Sequence, residues 1–387
     1  MSGPVKKRSS QHAQATIISV LAGKIKTLLH NTIMLVNMVF VLLLLLSYLS
    51  AHVSPQNIWI VSLAGLAYPF LLIANLGFVI YWAIKKRVLL LYSLIAILLG
   101  YNHLSDTFQI RAAQKLPDEL HNTFTFLSYN VRLFNLYDWI EEPGLKNSIY
   151  EFLLSEDPDV LCIQEYFFSK DDPYNQSRNF RRLHERYSHI EYSSSNRGDF
   201  NFGIATFSKY PIVNKGKISF TNSSNISIYS DIVINTDTVR VFNCHLQSVQ
   251  FTKDNISFLG NLGRRDSRQI EGLKDIGSRL GQAFVRRSRQ TDIIAGHISE
   301  SPYPVIVTGD FNDTPVSYTY RQLRNQNLKD AFVRSGSGIG STYVSKLPLF
   351  RIDYILHSTE LESFYYKTPK IVMSDHYPLK CEFSFKR

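Results

Sequence analysis

Asn130, Glu165, His245, Asp310, Asn312 and the adjacent pair Asp375 and His376 each stand at the end of an apolar run or just beside one. Alone, any of them reads as a polar strand end facing solvent. Together they bring carboxylates, amides and imidazoles to one rim of a sheet, the arrangement of a converging polar site. In 305–315, VIVTGDFNDTP, period 2 along an extended chain puts Asp310 and Asn312 on one side, able to address the same bound group. Asp310 suits orienting or deprotonating a water, and Asn312 suits donating to an oxyanion. The rest of that segment, 313–315, reads as an Asx turn.

Glu165 closes the run VLCIQE at 160–165 and is a hard oxygen ligand suited to Mg²⁺, with Asn130 of SYNV (128–131) beside it. Near the C-terminus, SDHYPL (374–379) sets an acid and an imidazole immediately before the last apolar run. Asp353, in FRIDYIL (350–356), is the natural partner of His376, because a buried carboxylate fixes the tautomer and raises basicity. His245, in FNCHLQS (242–248), is a further donor to a phosphoryl oxygen. A carboxylate-held divalent cation, a positioned water and an imidazole are what hydrolysis of a phosphate ester requires.

The elements that must position these residues are short β-rich runs at 123–131, 160–165, 202–208, 239–245, 304–310, 351–356 and 377–385, with helical periodicity at 144–155 and 266–300. Several runs are almost continuously apolar, as in strands buried on both faces of a layered α/β domain. Cys162, Cys244 and Cys381 each fall within such a run and read as buried thiols; no CxxC or Cys/His spacing points to structural zinc.

The ordered set SYNV, IQE, FGIATFSKYPI, NCHLQS, VTGDFND, RIDYIL and SDHYPL over residues 122–387 resembles the endonuclease/exonuclease/phosphatase superfamily. The resemblance implies a four-layer αββα sandwich of two mixed β-sheets, with Mg²⁺, or Mn²⁺ as the alternative, at the strand ends. It implies that Asn130 and Glu165 hold the metal with help from Asp375, and that His245 contacts phosphate. Asp310 and Asn312 would orient water and phosphate, His376 and Asp353 would form a dyad, and the base would be either Asp310 or His376. NCHLQS stands where the abasic-site endonucleases have a tyrosine motif, and FRID where the inositol 5-phosphatases have Trp-Cys-Asp-Arg, so neither branch is favoured. The implied activity is hydrolysis of a phosphodiester or phosphomonoester, in nucleic acid or a lipid headgroup. A catalytically dead scaffold would have lost a ligand, and none is missing. No obligate protein partner is expected.

The chain carries +10, but five of those charges lie in residues 1–30, which contain no acid, and Lys85, Lys86 and Arg87 supply three more. That leaves +2 for residues 88–387, so basicity is no argument for nucleic acid. Residues 31–84 contain no Asp, Glu, Lys or Arg, the composition of a membrane region. The expected organisation is a basic cytoplasmic segment at 1–30, a transmembrane region at 31–104 with spans at about 32–51, 58–84 and 88–104, a linker at 105–121 and a catalytic domain at 122–387. A cleaved signal peptide is disfavoured by the late, long apolar run. The positive-inside rule places the cations in the cytoplasm, and a third crossing would place the catalytic domain outside it, at the cell membrane. Lys253, Arg264, Arg265, Arg268, Lys274, Arg279, Arg286, Arg287 and Arg289 form a basic stretch opposed by four acids. It reads first as a packed helix with a solvated face, and otherwise as a contact for a polyanion or anionic lipid.

Overall fold

The computed structural model describes residues 5–110, 123–172, 177–195, 200–252, 255, 258, 269–345 and 349–386. The chain falls into two compact units, one of Met1–Leu46 with Ala67–Tyr101 and one of Ser47–Leu66 with Asn102–Arg387.

The apolar N-terminal sequence is helical: α1 (Val5–Leu49), α2 (Pro55–Ile58), α3 (Ile60–Leu66), α4 (Tyr68–Ile84), α5 (Leu90–Leu99) and α6 (Tyr101–Thr107). Among the described residues one stretch is long and apolar enough to cross a membrane alone, the 32 residues Ile18–Leu49 of α1. The second expected span is divided between α3 and α4, where Pro69 lies in the first turn of α4. The third corresponds to the 10-residue α5, about 15 Å of helix, shorter than the apolar core of a bilayer. Within the first unit a buried polar chain ties these helices together. Trp82 Nε1 donates to Asn37 Oδ1 at 2.9 Å, Asn37 Nδ2 to Ser93 Oγ at 2.7 Å, and Ser93 Oγ to Asn75 Oδ1 at 2.9 Å. Such side chains hold helices where apolar attraction between them is weak.

The second unit is built on two six-stranded sheets. The strands are β1 (Thr123–Asn130), β2 (Val160–Ser169), β3 (Tyr187–Ser195), β4 (Phe200–Ser208), β5 (Ile212–Ser219), β6 (Ile226–Ile234), β7 (Asp237–His245), β8 (Val305–Asp310), β9 (Lys329–Asp330), β10 (Asp353–His357), β11 (Leu361–Lys367) and β12 (Leu379–Phe385). One sheet runs β11-β12-β1-β2-β4-β3 and the other β5-β6-β7-β8-β10-β9. Both are mixed, with β1 and β2 parallel in the first and β7 and β8 parallel in the second.

Alternation along the strands explains the layers. Phe124, Phe126, Val160, Cys162, Val239, Val241, Ile306 and Ile355 form the core between the sheets. Leu127, Leu161 and Ile163 point outward and pack on Ile149, Leu153 and Leu183 of α7 (Leu145–Ser155) and α8 (Arg178–His184). Phe242, Val307 and Leu356 do the same on the second sheet, against Ile294, Ile298 and Leu323 of α9 (Gln269–Ser299) and α10 (Tyr318–Arg324). The architecture is therefore the four-layer αββα sandwich, and the three cysteines are free and buried within it.

Two segments outside the expected domain belong to this unit. Ser50 Oγ, beyond the end of α1, donates to Val316 O at 2.7 Å. The stretch expected to be a linker begins instead as α6, whose Asp106 pairs with Arg324 at 3.2 Å and whose carbonyl accepts from Arg351 Nη2 at 2.6 Å. Residues 111–122 of that linker lie outside the described residues.

Gly309 sits where β8 approaches β7, at φ +123, and a Cβ there would lie 2.0 Å from Cys244 O. Both the backbone conformation and the space exclude a side chain. Gly309→Ala is expected to destabilise the protein by about 3 kcal/mol or more, combining a strained φ with a backbone clash. Thermal melting of the purified full chain would check this, and an unchanged midpoint would refute the close approach.

Candidate active site

The inward-facing rows of the strands end in polar residues. Asn130 continues the row of Phe124 and Phe126, His245 that of Val239 and Val241, and Asp310 that of Ile306, while Asp353 opens the row that includes Ile355. Register does the rest. Asp310 lies beside His245 on parallel β7 and directly opposite Asp353 on antiparallel β10. Asn130, from the other sheet, spans the gap: its Nδ2 lies 3.1 Å from Asp310 Oδ2 and 3.1 Å from Glu165 Oε1.

Glu165 reaches the site by breaking the alternation. Cys162 lies in the core between the sheets and Leu161 and Ile163 on the helix-covered face, so a regular strand would turn Glu165 toward the helices. The pairing of β2 with β4 shifts register between Ile163 and Tyr166, and Glu165 has φ +50. This bulge turns its carboxylate to Asn130.

Asp310 is buried and heavily bonded. Asn312 donates its backbone N–H to Oδ1 at 2.8 Å and its Nδ2 to Oδ2 at 3.0 Å. His376 Nδ1 donates to Asp353 at 2.9 Å, its Nε2 stands 3.6 Å from Asp310 Oδ2, and Asp375 Oδ1 lies 4.0 Å from the same nitrogen. His245 Nε2 is 3.7 Å from Glu165 and 3.9 Å from Asp310. All eight residues singled out in the sequence therefore meet in one place.

Burial pushes the Asp310 carboxyl up to about 6; Asp353 adds to this and His376 opposes it. Glu165 is raised by burial and then by the charge of Asp375. Burial lowers His245, leaving it a neutral imidazole. Burial acts the same way on His376, but Asp353 and Asp310 override it and hold its pKa well above the usual value. The site thus pairs an imidazolium with two carboxyls, Asp310 and Glu165, whose pKa values are raised. Two sets of three ligand atoms close enough to share a cation arise here, Glu165 with His245 and Asp310, and Asp310 with Asp353 and His376. The mainly oxygen donors and the surplus of negative charge fit a hard divalent metal.

Some contributors were not legible in the motifs. Arg132, two residues beyond Asn130, lies 3.3 Å from Asp375 and stacks on Trp139 at 4.4 Å. Its offset of two from Asn130 was the available signal. Ser374 Oγ donates to Asn130 O at 2.8 Å, and Thr342 Oγ1 accepts from the backbone N–H of Asp353 at 3.1 Å. Beneath the site, Gln164 Nε2 donates to Asn243 Oδ1 at 2.6 Å, a buried bridge between the sheets. The segment 313–315 is more than a turn, because Asp313 pairs with Arg287 at 2.9 Å. Arg287 is consequently buried and leaves the basic surface of α9, whereas Lys253, Arg264, Arg265 and Arg268 lie outside the described residues.

Residues 127–376 match the model of the endonuclease/exonuclease/phosphatase family. The chain belongs to that family. Residues 30–107 match a domain of unknown function. No curated protein sequence matches the chain. Among solved structures, an endonuclease/exonuclease/phosphatase family protein from Bacteroides thetaiotaomicron is 16% identical over 68% of this chain and 98% of its own, with a TM-score of 0.50. The human Nocturnin catalytic domain is 18% identical over 69% and 96%, with a TM-score of 0.48. A mannosyl-6-phosphatase of Bacteroides thetaiotaomicron is 16% identical over 68% and 100%, also at 0.48. At these identities the likeness is one of fold alone.

Asp353→Asn is expected to lower the pKa of His376, because the largest favourable charge on the imidazolium is removed. A pH titration of the His376 ring resonances, in the metal-free full chain, checks this. A pKa unmoved from the wild-type value would mean that Asp353 does not hold the imidazolium.

Proposed function

We propose that this endonuclease/exonuclease/phosphatase family member is a membrane-anchored, divalent-metal-dependent phosphoesterase that cleaves phosphodiester or phosphomonoester bonds by in-line attack of water. The observation that carries the reading is the convergence on Asp310: two amide donors fix its carboxylate, and the Nε2 of His376 stands 3.6 Å away.

Glu165, Asn130 and Asp375 are the residues that would hold Mg²⁺ or Mn²⁺, which when bound would polarise the phosphoryl group and offset its charge. Asp310, with its pKa of about 6, is matched to accept a proton from water near neutral pH. His376, already protonated, is poorly placed to be that base and well placed to stabilise the pentavalent transition state through Nε2–H. Asn312 and neutral His245 complete the contacts to phosphoryl oxygens. As the water oxygen bonds to phosphorus, its proton passes to Asp310 and the bond to the leaving oxygen breaks on the opposite side. The charge argument thus favours Asp310 over His376 as the base.

Membrane anchoring is supported by Ile18–Leu49. Sidedness needs only that single crossing. The N-terminal cations favour the cytoplasm, and Ser47–Leu66, at the other end of α1, belongs to the catalytic unit. Both observations favour an extracytoplasmic catalytic unit.

Hydrolysis of bis-p-nitrophenyl phosphate by the full chain should require Mg²⁺ or Mn²⁺, vanish with chelator, and fall about 10²- to 10⁴-fold in His376→Ala and at least as far in Glu165→Ala. Chelator-resistant turnover, or full activity in either variant, would sink the mechanism. For sidedness, a C-terminal alkaline phosphatase fusion should be active and a C-terminal cytoplasmic fluorescent reporter dark; the reverse pattern refutes it.

A further inference from the structure

We propose that a cleft between α9 and Trp59, remote in sequence from the catalytic residues, binds the phosphate headgroup of an anionic membrane lipid. The cleft has a volume of about 630 Å³ and is lined by Trp59, Lys274, Gly281, Gln282, Arg286 and Arg289, among others. The three cations are exposed, and among the described residues none has a carboxylate partner, whereas Arg279 on the same helix is paired with Asp275 at 3.0 Å. Three unpaired cations around one concavity are a site for a polyvalent anion.

The surroundings of the cleft indicate where that anion comes from. Trp59 lies in the short segment that follows the apolar stretch Ile18–Leu49, and its neighbours Ile58 and Ile60 are 55% and 61% exposed. A tryptophan flanked by exposed isoleucines just beyond an apolar helix is a membrane-interface arrangement. On α9 itself, Ile270 and Leu273 are exposed beside Lys274, so the apolar and cationic surfaces continue onto the helix. The indole is fixed rather than loosely apposed. Gln56 Nε2 donates to Asp292 Oδ2 at 2.9 Å, Asp292 also accepts from Tyr318, and the place of a Cβ on Gly281 is taken by the indole, 2.8 Å away. The site therefore has an aromatic wall for the acyl-glycerol end and a cationic floor for the phosphate. This inference rests on the reading of Ile18–Leu49 as a membrane span but not on any catalytic step.

The test is native mass spectrometry of the full chain in nonionic detergent, titrated with an equimolar mixture of phosphatidylglycerol and phosphatidylcholine. The expected result is one preferentially bound phosphatidylglycerol. Lys274→Gln, Arg286→Gln and Arg289→Gln together should weaken it by about fivefold per cation, about a hundredfold in all, with the melting temperature and bis-p-nitrophenyl phosphate hydrolysis retained. Gly281→Leu, which displaces the indole and leaves every cation, should also lose the lipid. No preference for phosphatidylglycerol in the wild type, or full retention in the triple variant, would overturn the proposal. Displacement by millimolar inorganic phosphate would make it a soluble-anion site, and displacement by a single-stranded oligonucleotide would make it a nucleic-acid site; either overturns the lipid assignment. Because binding is read without turnover, failure of the phosphoesterase reading would leave this result intact.

Discussion

Asp310 and Asp353 face each other across adjacent antiparallel strands, both buried, and the rest of the site is arranged around that like-charge pair. Directly opposed carboxylates destabilise a ladder, and burial withholds the water that would screen them. Burial raises the Asp310 carboxyl to about 6, and Asp353 adds to the shift. His376 is the counter-charge: one ring nitrogen bonds to Asp353 and the other approaches Asp310. Its protonation is thus a consequence of the pair and not an independent property of the ring.

The same constraint accounts for the amides. Asn130 and Asn312 donate to Asp310 without adding charge, so they hold the carboxylate in place where another cation would quench it. Below them the inter-sheet core changes from apolar to polar through Gln164 and Asn243, both fully buried. Bonded side chains there are costly to disturb and fix how the sheets meet, which sets the distance from Asn130 to Asp310. Burial, and after it the charge of Asp375, raises Glu165, a carboxyl that a cation would help to ionise.

Residue type and position were enough to find the eight polar residues, because most stand at or beside an end of an apolar run. Local backbone geometry was not legible. Asp310 and Asn312 do meet, but not along one extended strand: β8 stops at Asp310 and Asn312 has φ +54, so a turn brings the amide back. Glu165 reaches the site only through a bulge that its sequence does not announce. The strands that were missed include β5, an edge with the mostly exposed pattern VNKGK, and β6, whose buried Asp231 breaks the apolar row and is matched by Arg240 at 2.6 Å. Arg287 reads as surface charge until Asp313 claims it. Glu165 and Arg287 find their partners, Asn130 and Asp313, far along the chain, and composition alone carries no trace of them.

The boundary between the apolar N-terminal helices and the sandwich is where sequence reasoning and structure differ most in consequence. A composition shift marks residue 122 as the start of the soluble domain, yet that unit also includes Ser47–Leu66 and the helix α6. Gln109 exchanges backbone hydrogen bonds with Gly338, each at 2.9 Å, and the buried Arg351 divides its guanidinium between Asp330 at 2.7 Å and the Asp106 carbonyl. Cutting the chain at 122 would leave Arg351 without that acceptor in a buried setting, at a cost of roughly 1–3 kcal/mol. It would also strip Ser50 from Val316 and Gln56 from Asp292. The segment beyond the first apolar helix is therefore part of the unit that holds the two sheets, and the two units alternate along the chain.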